Sequence, residues 1–151
     1  MTSRLPPSDE LAQRLALAIP ALLLAGAYVS QYGFGLFPCE MCWWQRWPHF
    51  AALALAFLST LAPPKRLWIA LAAGGILTSG LIGAFHAGVE YGWWEGITGC
   101  TGNDFMSLEV IRCDIAPWSF LGISLAGWNA LISIGSAIAI WVLLMAKERS
   151  Q

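Results

Sequence analysis

Four apolar runs, at about 15–37, 44–62, 67–89 and 120–146, set what this sequence can fold into. The first contains no charged residue. The second is shorter and reaches back through Arg46 to a cysteine pair, the third ends near His86, and the fourth follows a long loop. A membrane-spanning helix needs about 20 predominantly apolar residues. The chain is 58% hydrophobic and only 11% charged, a balance that fits an integral membrane protein rather than a soluble domain. Short links favour neighbouring antiparallel helices. The expected fold is all-α: a single integral membrane domain over 1–151, built as a four-transmembrane-helix bundle. Its outer loops cover about 38–43 and 90–119. Within the second, residues 104–112 have the pattern of a short amphipathic segment lying on the bilayer surface.

The cations orient this bundle. Arg4, Arg14, Lys65, Arg66, Lys147 and Arg149 fall on one side of a four-span arrangement, and Arg46 and Arg112 on the other. The positive-inside rule then puts both termini and the Pro63–Arg66 turn in the cytoplasm, with all four cysteines outside, where disulfides persist. The first run is longer than a signal-peptide core and no small-x-small cleavage site precedes the cysteines, so it reads as a retained helix. A net charge of −1 without a basic stripe gives no reason to expect a nucleic-acid partner.

Other features are weaker guides. Residues 1–14 read mainly as a solvated tail, with Ser8 or Asp9 available to cap a short helix. Gly75, Ser79 and Gly83 form a small-xxx-small stripe that permits close helix packing. Asn129, near the middle of the fourth run, is expected to hydrogen-bond a neighbouring helix. The tryptophans flanking the outer loops suit interfacial anchoring. Gln31, close to the outer end of the first run, is within reach of a polar head group in the bundle mouth.

Chemistry concentrates at Cys39-Glu40-Met41-Cys42-Trp43-Trp44-Gln45-Arg46-Trp47-Pro48-His49. On a helix, Cys39, Cys42 and Arg46 share one face. Pro48 leaves two arrangements open: a separate turn with Pro48 opening the second span, or a helix kinked at Pro48. Three roles compete for Cys39, Cys42, Cys100 and Cys113: static disulfides, a four-thiolate zinc site, and a redox relay. Zinc sites favour two CxxC knuckles, and the second pair here is widely spaced, so no metal is expected. A static CxxC bridge closes too short a ring to stabilise the chain much, and such accessible bridges tend to exchange. A guanidinium about 4 Å from a thiolate is worth about 4 kcal/mol at an effective dielectric of about 20. Arg46 is therefore suited to hold Cys42 as a thiolate, or to bind an anionic or carbonyl oxygen. His86 and Glu90 stand four apart at the end of the third run, where the histidine serves either as a proton carrier or as a bundle hydrogen bond.

Cys39-x-x-Cys42-x-x-x-Arg46 after a first span, followed by a Cys100/Cys113 pair in the second outer loop, resembles the DsbB family of bacterial inner-membrane thiol–quinone oxidoreductases. Gln45-Arg46-Trp47-Pro48-His49, His86-Ala87-Gly88-Val89-Glu90 and Trp118 with Leu121-Gly122 extend the resemblance over nearly the whole chain. It implies that Cys100 takes a mixed disulfide with a periplasmic thioredoxin-fold oxidase similar to DsbA, and that Cys113 resolves through an interloop bridge with Cys39. Cys42 is then released beside a membrane quinone, ubiquinone or menaquinone. It implies that Arg46 assists at the quinone, and with His49, His86 and Gln31 this residue completes the set of candidate cofactor-binding residues. The compact Cys100–Cys113 interval departs from the family pattern. Two other readings are a non-catalytic membrane subunit with structural disulfides and a vitamin K epoxide reductase-like enzyme. In the latter the CxxC lies after a later span.

Overall fold

A computed structural model describes residues 5–98 and 112–146. Among these, four α-helices form the body: α1 (Pro7–Gly33), α2 (Glu40–Leu61), α3 (Lys65–Glu90) and α4 (Leu125–Met145). A two-stranded antiparallel hairpin, β1 (Ser119–Phe120) and β2 (Ile123–Ser124), precedes α4. Cys100 and the expected amphipathic segment lie outside the described residues.

The helices approach closely because their facing residues are small. Ala12, Ala16, Ala52, Ala56, Ala72, Ala73 and Ala137 are buried with Ile69, Ile76 and Ile140. The expected glycine stripe lies in the bundle. A Cβ on Gly75 would meet Ala52 Cβ and the Pro48 carbonyl at 3.1 Å, and one on Gly83 would sit 2.9 Å from the Ala126 carbonyl. Ser79 is fully buried between them. Thus α3 is the central helix, with α2 and α4 against it.

Three helices are long and apolar enough to cross a membrane: α1, α3 and α4. The expected second span, α2, falls short of that apolarity. Its N-terminal half carries Gln45, Arg46 and His49, and the fold buries all three inside the bundle. The run at 44–62 therefore covers most of a helix whose polar half is shielded by neighbours.

Three boundaries differ from the sequence expectation. The tail is helical beyond residue 6: α1 begins at Pro7, and neither Ser8 nor Asp9 caps it. Asp9 is instead 1% exposed and pairs with Arg66 at 3.1 Å. The fourth helix starts at Leu125 rather than near 120, because Leu121 and Gly122 both take positive φ (53° and 77°) in the hairpin turn. Ser124 then caps α4, its Oγ accepting from the Gly127 N–H at 3.1 Å. Pro48 neither opens nor ends a helix, because α2 runs through it from Glu40. Cys39, Cys42, Arg46 and His49 consequently belong to one continuous helix and its cap.

Candidate functional site

Cys39 occupies the N-cap of α2. Its Sγ accepts the Cys42 backbone N–H at 3.2 Å and lies 2.9 Å from Cys42 Sγ. The helix start thereby presents both an N–H and the positive end of the helix dipole to this sulfur. Cys39 and Cys42 are free thiols, whereas Cys113 is disulfide-bonded. The Cys39 and Cys113 sulfurs and a ring nitrogen of His86 all lie within 4.8 Å of one another. Such spacing would suit a metal ion, but a sulfur already bonded to sulfur offers no thiolate ligand.

The hydrogen bond from the Cys42 thiol holds Cys39 at about 5, against the penalty of burial and with help from His86. In that bond Cys42 is the donor and keeps its proton. With both thiols free, the negative charge rests on Cys39 rather than on Cys42. The spacing argument favoured Cys42 because Arg46 follows it by one turn. In the folded chain the Arg46 guanidinium turns toward α1: Nη1 donates to Gln31 Oε1 at 2.7 Å, and Nη2 to the Ala27 carbonyl at 3.3 Å. It also lies 4.9 Å from the ring centroids of Tyr28 and Trp43. Gln31 is therefore brought to Arg46.

His86 stands at the C-terminal end of α3. Its Nε2 is 3.2 Å from the Cys113 carbonyl, 3.6 Å from Cys39 Sγ and 3.8 Å from Glu90 Oε1. His49 lies one turn beyond Gln45 and Arg46, with Nε2 3.0 Å from Asn129 Oδ1. Between the two histidines runs a polar seam that spacing alone did not assign to the site. Gln45 Nε2 lies 2.9 Å from His86 Nδ1, and Asn129 Nδ2 donates to Gln45 Oε1 at 2.9 Å. Asn129 was legible as an interhelical hydrogen-bonding residue. Gln45 carried no signal beyond its position in the motif.

A cavity of about 240 Å³ opens beside this seam. Leu22, Leu23, Leu36, Phe37 and Trp128 form apolar wall, while Cys42, Gln45, Arg46, His49, His86 and Asn129 supply polar atoms. The loop after α3 is held close by Trp94, which stacks on Phe85 (centroids 5.7 Å apart) and donates from Nε1 to the Phe85 carbonyl. Its indole lies so close to Gly88 that a Cβ there would fall 2.0 Å from Trp94 Cζ2.

Comparison with known proteins agrees with the sulfur geometry. The family described as "Disulfide bond formation protein DsbB" matches residues 9–143. Disulfide bond formation protein B of Verminephrobacter eiseniae is 32% identical, over 78% of this chain and 75% of that protein. The proteins of the same name from Azoarcus sp. and Xanthomonas oryzae pv. oryzae are 30% and 33% identical. These cover 85% and 80% of this chain, and 88% and 80% of their own lengths. No solved structure matches. A free thiol pair capping a buried helix beside a third, disulfide-bonded cysteine is the arrangement that disulfide chemistry needs, and the chain belongs to the DsbB family of disulfide bond formation proteins.

Proposed function

We propose that the protein oxidises the dithiol of a periplasmic thioredoxin-fold oxidase, similar to DsbA, and passes the two electrons to a membrane quinone. In this reading α2 is the fourth span, its polar half sheltered by the bundle. Both termini face the cytoplasm and the cysteines face the periplasm. One observation carries the proposal: the free Cys39 sulfur lies beside Cys42 and within 4.8 Å of the disulfide-bonded Cys113 sulfur.

The sequence of exchanges balances as follows. The partner's two thiols are oxidised to a disulfide as the Cys100/Cys113 pair is reduced, through a mixed disulfide at Cys100. The Cys113 thiolate then attacks the Cys39–Cys42 disulfide at Cys39 and releases Cys42; Cys100 attacks Cys113 in turn, which remakes the Cys100–Cys113 bond, frees Cys39 and leaves the two electrons on the free thiols Cys39 and Cys42 until that pair closes again. Thiolate is the attacking species. The N-cap geometry at Cys39 supports a thiolate there, and the short distance to Cys42 lets the pair close again with little motion.

When bound, a quinone supplies the terminal step that thiols lack, accepting two electrons and two protons. A DsbA-like partner is already strongly oxidising, near about −120 mV, so a respiratory acceptor suits the direction of flow. The cavity fits such a group. It has apolar walls, it contains Arg46 as a donor, and the buried Nδ1 of lining residue His49 has no partner among the described residues. Arg46, held by Gln31, would orient a ring oxygen, with His49 and His86 on the same cavity.

The test is anaerobic mixing of the purified protein with a reduced thioredoxin-fold partner and either ubiquinone or menaquinone, monitoring quinol formation. We expect quinol in stoichiometric amounts with partner disulfide. Replacing Cys100 by serine should abolish it while the thermal transition persists. Quinol formation that survives Cys100→Ser would overturn the route through Cys100, and its absence with both quinones would overturn the proposal and leave a scaffold stapled by structural disulfides.

A further inference from the structure

We infer that Gln45 is a positioning residue: its amide fixes His86 as the Nε2–H tautomer and so aims an N–H at the Cys39 sulfur. The geometry admits one orientation. Gln45 Nε2 lies 3.1 Å from the Met41 backbone carbonyl, which can only accept, so the NH₂ group must face that way. The amide oxygen points oppositely and accepts from Asn129 Nδ2 at 2.9 Å. Asn129 is itself oriented by a backbone acceptor, since Nδ2 also lies 3.2 Å from the Ser79 carbonyl. The second N–H of the Gln45 amide therefore meets His86 Nδ1 at 2.9 Å. A donor facing Nδ1 requires a lone pair there, which leaves the ring proton on Nε2.

That proton faces the sulfur cluster, where Nε2 lies 3.6 Å from Cys39 Sγ and 3.2 Å from the Cys113 carbonyl. The other tautomer would turn a lone pair toward both acceptors and set two donors against each other at Nδ1. His49 is held separately: its Nε2 donates to Asn129 Oδ1, the amide oxygen left over once Nδ2 is committed to Ser79. The significance for turnover rests on the reading of Cys39 as the exchanging thiol. The tautomer assignment does not.

The chain contains two histidines, so selective ¹⁵N-histidine labelling of the full-length reduced protein in detergent resolves the question. In the wild type, Nδ1 of His86 should show a pyridine-type shift and Nε2 a pyrrole-type shift. Gln45→Glu keeps the shape but puts an acceptor opposite Nδ1. We expect Nδ1 of His86 to become protonated and pyrrole-type, while the His49 signals, held by Asn129, stay in place and report an intact bundle. Gln45→Leu, which removes the donor, should move the pH midpoint of Cys39 iodoacetamide labelling upward by about fivefold in proton concentration, the size of one net hydrogen bond. Mass spectrometry localises that label. A His86 Nδ1 that remains pyridine-type in Gln45→Glu with His49 unmoved would overturn the assignment. A labelling midpoint of Cys39 unmoved in Gln45→Leu would overturn the link to the thiol. Neither result depends on quinol formation, so a failure of the proposed quinone reaction is read separately.

Discussion

Arg46 Nη1 donates to Gln31 Oε1 at 2.7 Å, and this bond ties the N-terminal half of α2 to the C-terminal end of α1. Arg46 is only 6% exposed, so its charge relies on that amide, the Ala27 carbonyl and two aromatic faces. A hydrogen bond to a charged group is worth about 1.5–3 kcal/mol, and its loss in a buried site costs at least as much. Gln31→Leu should therefore destabilise the detergent-solubilised protein by about 2 kcal/mol, read as a lowered thermal midpoint. If Arg46 orients a quinone oxygen, Arg46→Leu should raise the apparent KM for quinone. Gln31→Leu should do so less, and the two effects should be non-additive in the double variant.

The titration of Cys39 offers a second check. The groups facing its sulfur are the Cys42 thiol, the Cys42 backbone N–H, His86 and, beyond it, Glu90. Because the Cys42 hydrogen bond holds Cys39 at about 5, alkylation of Cys39 should stay fast at pH 6 and fall only as pH drops through about 5. Cys42, which keeps the shared proton, should label more slowly than Cys39 across that range. The sign for stability follows. A folded-state value below the unfolded one contributes stability that is present above the unfolded value and is lost as pH falls through about 5. Cys42→Ala removes the principal donor and should move the Cys39 labelling midpoint upward. An unmoved midpoint would count against the shared thiol proton.

Gly88 allows the loop after α3 to lie against the helix. Adding a methyl group there would intrude on the Trp94 indole, and overpacking of this kind costs about 1–3 kcal/mol. Gly88→Ala should displace Trp94 from Phe85 and raise protease sensitivity after residue 90. Alanine at Gly74, where a Cβ meets nothing within 4 Å, should leave both unchanged.

At the opposite end, Arg66 bonds the buried Asp9 carboxylate and the Leu144 carbonyl, joining the starts of α1 and α3 to the end of α4. Arg66→Ala strands that carboxylate and should cost about 1–3 kcal/mol, a buried-pair loss discounted because the Arg66 side chain is 58% exposed. Asp9→Asn, which keeps the shape and removes the buried charge, should cost less. Equal losses in the two variants would mean that contact rather than charge holds this corner.

Much of this protein was legible before any tertiary contact was known. The apolar runs marked α1, α3 and α4 because burying or embedding a hydrophobic stripe is a local property of sequence. The i, i+3, i+7 spacing put Cys39, Cys42 and Arg46 together because helix periodicity is local too. Small residues at 75, 79 and 83 announced close packing for the same reason. What the sequence left open was decided between elements. Pro48 continues a helix because α3 packs against it. Arg46 faces Gln31, and the charge of the thiol pair settles on Cys39 because its sulfur caps α2 and meets His86. Asp9 is buried because Arg66 lies across the bundle from it. Gln45 and Asn129 enter the site because each amide finds its fixed partners on another helix or in the turn before it. Side-chain reach of a few ångströms spans several neighbours at once, and only the packed helices choose among them.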